Sequence, residues 1–223
     1  MTLPPSLHWI DDELAALDAN HLRRRVQARE AASTAVLARE GQSFVNFASN
    51  DYLGLATDPR LVNAASASID AYGWGAGASP LIVGYTRQHA LLESALAEFE
   101  GVEAALVFNS GYVANVGVIC ALVGRGDAVF SDELNHASIV DGCRLSRAET
   151  HIYPHGDLTT LRSQLAQCTG RRKLIITDSL FSMHGDTAPL ADLADLADSH
   201  QAMLMVDEAH ATGVFGPHGR GLC

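Results

Sequence analysis

The chain has 223 residues, 48% of them hydrophobic, which is ample for the core of one large domain. Fifteen Lys+Arg against 26 Asp+Glu leave a formal charge of −11, which argues against a nucleic-acid groove or an anionic membrane surface as partner. Cys120, Cys143, Cys168 and Cys223 are scattered without a C-x-x-C pair, the N-terminus has no apolar signal core, and no run approaches transmembrane length, so a cytoplasmic chain with reduced thiols is expected.

Residues 6–30 read as a helix, with Leu7, Ile10, Leu14, Leu17, His21 and Val26 on roughly one face and Arg23-Arg24-Arg25 at the far end. The arginine triplet is either a solvated face favoured by the helix dipole or a clamp for a carboxylate or phosphate, and residue types alone favour the first. A short strand follows at 44–47 and a turn-rich connector at 48–55. Asp58 caps and Pro59 opens a helix running to about Tyr72, which Gly73 ends. Gly73, Gly75 and Gly77 make a loop, and their spacing does not meet the dinucleotide pattern G-x-G-x-x-G. A further helix spans 87–100, with Gly101 as its stop.

From residue 104 the pattern is regular. Apolar strands at 104–108, 128–130, 151–153, 174–177 and 203–206 alternate with helices at 111–123, 138–147, 158–167 and 189–200. That order predicts an α/β fold with a mostly parallel sheet flanked by helices and right-handed crossovers.

Several carboxyl strand ends carry chemistry. Ser110-Gly111-Tyr112 lies where a helix begins, a natural seat for a phosphate, although Ser110 also suits a plain cap. His136 follows the next strand and Ser182 a later one; alone, each reads as a capping or turn residue. Asp207 ends the buried strand 203–206, where a carboxylate is costly without a cation or several donors. A cationic partner is therefore expected in front of it, with His210 three residues on. Other chemistries fare worse. Residues 207–210 spell DEAH, a helicase label, but the chain has no Walker A loop; there is no G-x-S-x-G elbow; and His151 with His155 do not share a helical face for a metal.

SNDYLGL from Ser49, SGYVAN from Ser110, DELNHASIVDG from Asp132, SLFSMHGDTAPL from Ser179 and VDEAHATGVFGPHGRG from Val206 stand in this order. Together they resemble the α-oxoamine synthases, fold-type-I transferases that use pyridoxal 5′-phosphate (PLP), over the span from about Leu22 to the last residue. The resemblance implies a helical segment at 1–45 and an incomplete PLP-binding large domain at 46–223, with the small C-terminal domain absent. It implies PLP contacts from Ser110, Gly111, Tyr112, His136, Ser182, Asp207 and His210, with Asp207 at the pyridine nitrogen and His136 stacked over the ring. Catalytic roles fall on His136, Asp207 and His210, and substrate contacts on Arg23, Asn50 and His136; no metal is implied. His184 departs from the family, which commonly has Asp there.

The blocks GDTAPL and DEAHATG lean toward decarboxylative condensation of L-alanine with pimeloyl-CoA or pimeloyl-acyl carrier protein in biotin biosynthesis, by a homodimer, over the glycine-using branches. The family's Schiff-base lysine belongs to a stretch just past Cys223. The chain's only lysine, Lys173, precedes a strand at the edge opposite the rim. These residues alone are thus expected to form no internal aldimine, and a non-catalytic remnant or scaffold is the alternative reading.

Overall fold

A computed structural model describes residues 4–26, 28, 35–39 and 41–223. The chain divides into two compact units, Met1–Val62 and Asn63–Cys223. In the first, helix α1 spans His8–Ala19 and a hairpin pairs strand β1 (Val36–Arg39) with β2 (Gln42–Val45). The expected helix over 6–30 is therefore shorter. Asn20 turns its side-chain amide back onto the carbonyl of Ala16 at 2.8 Å, and His21 takes a left-handed φ of 56° that ends the helix. Residues 27, 29 and 30 of that expectation lie outside the described residues. The strand expected at 44–47 sits two residues earlier, because it is set by pairing with β1, which propensity did not reveal.

Helix α2 spans Pro59–Tyr72, with the Asp58 carboxylate accepting from the backbone N–H of Arg60 at 2.8 Å, the expected cap. Gly73 stops it at a φ of 80°. Helix α3, Arg87–Glu100, ends on Gly101 in the left-handed region.

The rest of the second unit is a three-layer sandwich. Helix α4 (Gly111–Leu122) leads to β3 (Ala128–Asp132), α5 (Ala137–Ser146), β4 (Glu149–Tyr153), α6 (Leu158–Gln167), β5 (Lys173–Asp178), α7 (Leu190–Ser199) and β6 (Met203–Asp207). The four strands are all parallel, in the order β4-β3-β5-β6. Alternation along each strand divides the core. Val129, Leu174 and Ile176 pack with Ile119 of α4, Val123 just past it, and Ile139 and Cys143 of α5. Ala128, Phe130 and Ile175 face the other way, against Leu161 and Leu165 of α6 and Leu193 and Leu196 of α7.

The strand expected at 104–108 is absent. The stretch carries no assigned secondary structure: no described strand offers it a ladder, Leu106 is 77% exposed, and the N–H of Val107 goes instead to the Glu93 carboxylate at 3.0 Å. An apolar run becomes a strand only where a partner takes its backbone groups. Lys173 opens β5 at its amino end, with Nζ 3.5 Å from the Leu165 carbonyl.

Candidate functional site

Asp207 is the last residue of β6, in register with Asp178 of β5. Its Oδ2 accepts a hydrogen bond from Asn115 Nδ2 at 2.7 Å, and its Oδ1 accepts from the backbone N–H of Ala209 at 2.9 Å. Among the described residues no arginine or lysine pairs with Asp207; the donors the protein itself supplies are the Asn115 amide and the Ala209 N–H. They answer to the rule that a sequestered carboxylate needs compensation.

Asn115 lies one turn into α4 and is only 7% exposed. Its Nδ2 also donates to Ser138 Oγ at 2.9 Å, and that oxygen lies 2.7 Å from His136 Nδ1. The backbone N–H of Ser138 points at the same ring nitrogen at 3.2 Å. An N–H can only donate, so Nδ1 is an acceptor and the ring proton of a neutral His136 sits on Nε2. Asp207, Asn115, Ser138 and His136 thus form one hydrogen-bonded chain from β6 through α4 to the start of α5. Neither Asn115 nor Ser138 stood out as a site residue in the sequence; a lone Asn inside the otherwise apolar helix 111–122 was the available signal.

His136 is the N-cap of α5 with an exposed ring, so it is a capping histidine with one face open. Ser110 is likewise the cap of α4, its hydroxyl accepting from the N–H of Val113 at 3.2 Å. The N–H groups of Gly111 and Tyr112 occupy the first turn, ahead of any intrahelical acceptor, at the positive end of the helix dipole. The Tyr112 hydroxyl donates to Asp141 at 2.9 Å. Ser182 is exposed in a turn after β5, and His210 is half-buried in the turn after β6. Arg23 and Asn50 belong to the first compact unit: Arg23 pairs with Asp18 at 2.5 Å, and Asn50 accepts from the Tyr52 hydroxyl at 3.4 Å. His151 stacks on Phe130 while His155 sits between Asp132 and Asp186, so the two histidines do not converge.

Asp178, beside Asp207, is 6% exposed, and its Oδ1 has no hydrogen-bond partner. Burial, then the neighbouring charge of Asp207, push its carboxyl up to about 6, against a weaker opposing effect from His136. Asn135 anchors the same strand end, donating to Ser131 Oγ and the Ile176 carbonyl at 2.9 Å each and accepting from the N–H of Asp178 at 3.0 Å.

A parallel sheet with helices on both faces and Asp132, Asp178 and Asp207 at the carboxyl ends of its strands defines an α/β protein of the open-sheet class. The chain belongs to the aminotransferase class I and II family, whose model matches residues 42–221. It is 56% identical over 216 residues to the 8-amino-7-oxononanoate synthase of Anaeromyxobacter sp. (strain Fw109-5), covering 97% of this chain and 54% of that protein. Among solved structures it resembles the Sphingomonas wittichii serine palmitoyltransferase, with a TM-score of 0.87 and 35% identity over 99% of this chain and 56% of that one. It also resembles a serine palmitoyltransferase from S. paucimobilis with a bound PLP–myriocin aldimine, with a TM-score of 0.88 and 32% identity over 99% of this chain and 58% of that one. The chain spans about half the length of the curated relatives it matches.

Among the described residues no helix is long and apolar enough to cross a membrane, and no group of three or more His, Cys, Asp or Glu could hold a metal ion.

Proposed function

We propose that residues 46–223 are the PLP-binding part of an acyltransferase that joins L-alanine to a pimeloyl thioester, on CoA or acyl carrier protein, with loss of CO₂, to give 8-amino-7-oxononanoate. The observation that carries this reading is the carboxylate of Asp207, locked by Asn115 and Ala209 at the rim and linked through Ser138 to the exposed ring of His136. The 56% identity to a synthase of that name supports the substrate assignment.

The residues present fit PLP. A helix N-terminus with unspent N–H groups at Gly111 and Tyr112 suits the phosphate, and an ionised acid held by donors suits a protonated pyridine nitrogen. When bound, the cofactor supplies an electron sink for charge developing at the amino-acid α-carbon. Asp207 holds the proton on the ring nitrogen by pairing with the cationic form, a bond worth about 1.5–3 kcal/mol net. Because Ser110 caps its helix, the backbone carries the phosphate and the hydroxyl only assists. His136, with its proton on Nε2, can donate toward the ring or the amino-acid carboxylate. Ser182 and His210 would hold the ring's oxygen substituent. Arg23 and Asn50 contact substrate, which for Arg23 requires exchange of its bond to Asp18. The whole protein acts as a homodimer.

The test is a product assay on the full-length protein with L-alanine, glycine and L-serine, each against pimeloyl-CoA and pimeloyl-acyl carrier protein. Product from alanine supports the reading. Preference for serine or glycine moves the protein to another branch, and no product with any pair favours the scaffold reading. The variant Asp207→Asn is expected to lose most turnover yet retain measurable PLP binding.

A further inference from the structure

A second polar cluster lies at the same strand ends as Asp207 but on the opposite face of the sheet. Asp132 ends β3 on the side packed against α6 and α7, level with Tyr153 of β4. The ring of His155, two residues past β4, stands between two acids. Its Nδ1 is 3.0 and 3.1 Å from the two carboxylate oxygens of Asp132, and its Nε2 is 2.6 Å from Asp186 Oδ2. Phe181 meets the ring edge-on with centroids 4.4 Å apart.

An ionised carboxylate only accepts, and a neutral imidazole has a single N–H. Only the imidazolium can donate to both acids at once. Asp132 leads directly into the segment that carries His136. Asp186 closes the turn that carries Ser182: its carbonyl accepts from the N–H of Phe181 at 3.0 Å, Gly185 N–H returns to the Phe181 carbonyl at 2.8 Å, and Leu180 bridges Thr187. The backbone of His155 and Gly156 is itself held, by Glu133 at 2.9 Å and Asp132 at 3.2 Å.

We propose that His155, as an imidazolium, is a positioning residue that clamps the turn 181–186 to the end of β3 and slackens it on losing its proton. Its consequence for Ser182 rests on the cofactor reading above; the clamp itself does not. The titratable groups facing the ring are Asp132, Asp186, Glu133 and Tyr153, with His184 acting on Asp186. Partial burial works against the charge on His155, but the hydrogen bonds to Asp186 and Asp132 outweigh it, and its pKa is raised. Asp186 is correspondingly lowered, chiefly by His155. The clamp is therefore fully present below the ordinary histidine value near 6.5 and is lost as pH rises through the raised one. On the acid side it fades as Asp186 is protonated.

The experiment uses the 223-residue chain without cofactor, uniformly ¹⁵N-labelled. Ring-nitrogen shifts should report two protonated nitrogens on His155 at pH 6. Amide exchange at Phe181 and Gly185 should be about tenfold faster in His155→Gln and Asp186→Asn at pH 6, with β5 amides unchanged. In wild type, after correction for intrinsic rates, that protection should vanish as His155 deprotonates. A neutral ring at pH 6, or equal protection in wild type and Asp186→Asn, overturns the proposal. Asp186 is half-exposed, so its variant keeps the test valid if His155→Gln misfolds. PLP titration of wild type reports separately on the cofactor reading, since its failure would leave exchange at these amides untouched.

Discussion

Asn115 and Asp207 stand 92 positions apart in the chain and meet at 2.7 Å, the side-chain amide of an apolar helix held against the acid that ends β6. The second amide hydrogen of Asn115 goes to Ser138, so neither is spare. A polar side chain that is this buried and fully spent fixes its neighbours: α4, α5 and β6 can adopt only the spacing that keeps both bonds.

Removing that bond should be measurable in the folded chain without any cofactor. In a double-mutant cycle of Asn115→Ala and Asp207→Ala, urea unfolding at pH 7 is expected to give a coupling of about 1.5–3 kcal/mol, the range for hydrogen bonds to an ionised group. Additive effects would mean that the two side chains are held independently.

Helices α4 and α5 approach most closely at Gly142. A Cβ there would sit 2.6 Å from Ile119 Cδ1, 3.3 Å from Val116 Cα and 3.4 Å from the Asn115 carbonyl. Ile119 can swing its terminal methyl, but the backbone of α4 cannot yield without shifting Asn115. Gly142→Ala is therefore expected to destabilise by about 1–3 kcal/mol despite its better helix propensity. A wild-type or higher melting temperature would contradict the close packing.

The parts of the fold that were legible in the sequence are those whose signals are local. The start of α2 and the end of α3 follow from Asp58 accepting from the N–H of Arg60 and from Gly101 in the left-handed region. The inner strands follow from apolar runs such as Leu174–Ile176, which are buried on both faces of the sheet. What was not legible depends on partners. Residues 104–108 have a strand's composition and no ladder, and β1 exists because β2 pairs with it. At the rim, the end of β6 marked Asp207 as an acid needing compensation. Nothing local announced the amide of Asn115 as one of its donors, because that amide comes from a helix 92 residues away. His155 and Asp186 were invisible as a pair for the same reason.

Asp127, at the amino edge of the sheet, should dominate the acid limb of stability. Its side chain is buried and takes hydrogen bonds from Arg171 at 3.1 and 3.3 Å, from Arg172 at 3.0 and 2.7 Å and from the N–H of Gly124 at 2.9 Å. Arg171 first and Arg172 next hold its carboxyl far below the usual range. A depressed carboxylate contributes stability above the ordinary value near 3.9, and that stability is lost as pH falls. Asp127→Asn is thus expected to lower the melting temperature at pH 6, with the gap to wild type closing toward pH 2. A gap independent of pH would show that the charge contributes nothing.

Asp178 predicts the opposite sign. Its carboxyl is raised from an ordinary 3.8 to about 6 by burial and by the charge of Asp207, so between those values the native chain holds a proton that the unfolded chain has released. Stability from this group is present below about pH 4 and falls as pH rises through 6, at up to about 1.4 kcal/mol per pH unit. Above about pH 6 Asp178 is ionised beside Asp207, and its unpartnered Oδ1 is left buried. Asp178→Asn keeps the shape and removes the charge, so it should be more stable than wild type at pH 7 by about 1–3 kcal/mol and no more stable at pH 4. The check is urea unfolding of both proteins at the two pH values. Equal stability at pH 7 would mean that Asp178 is ionised at no cost, and that the two carboxylates are separated by more solvent than their register implies.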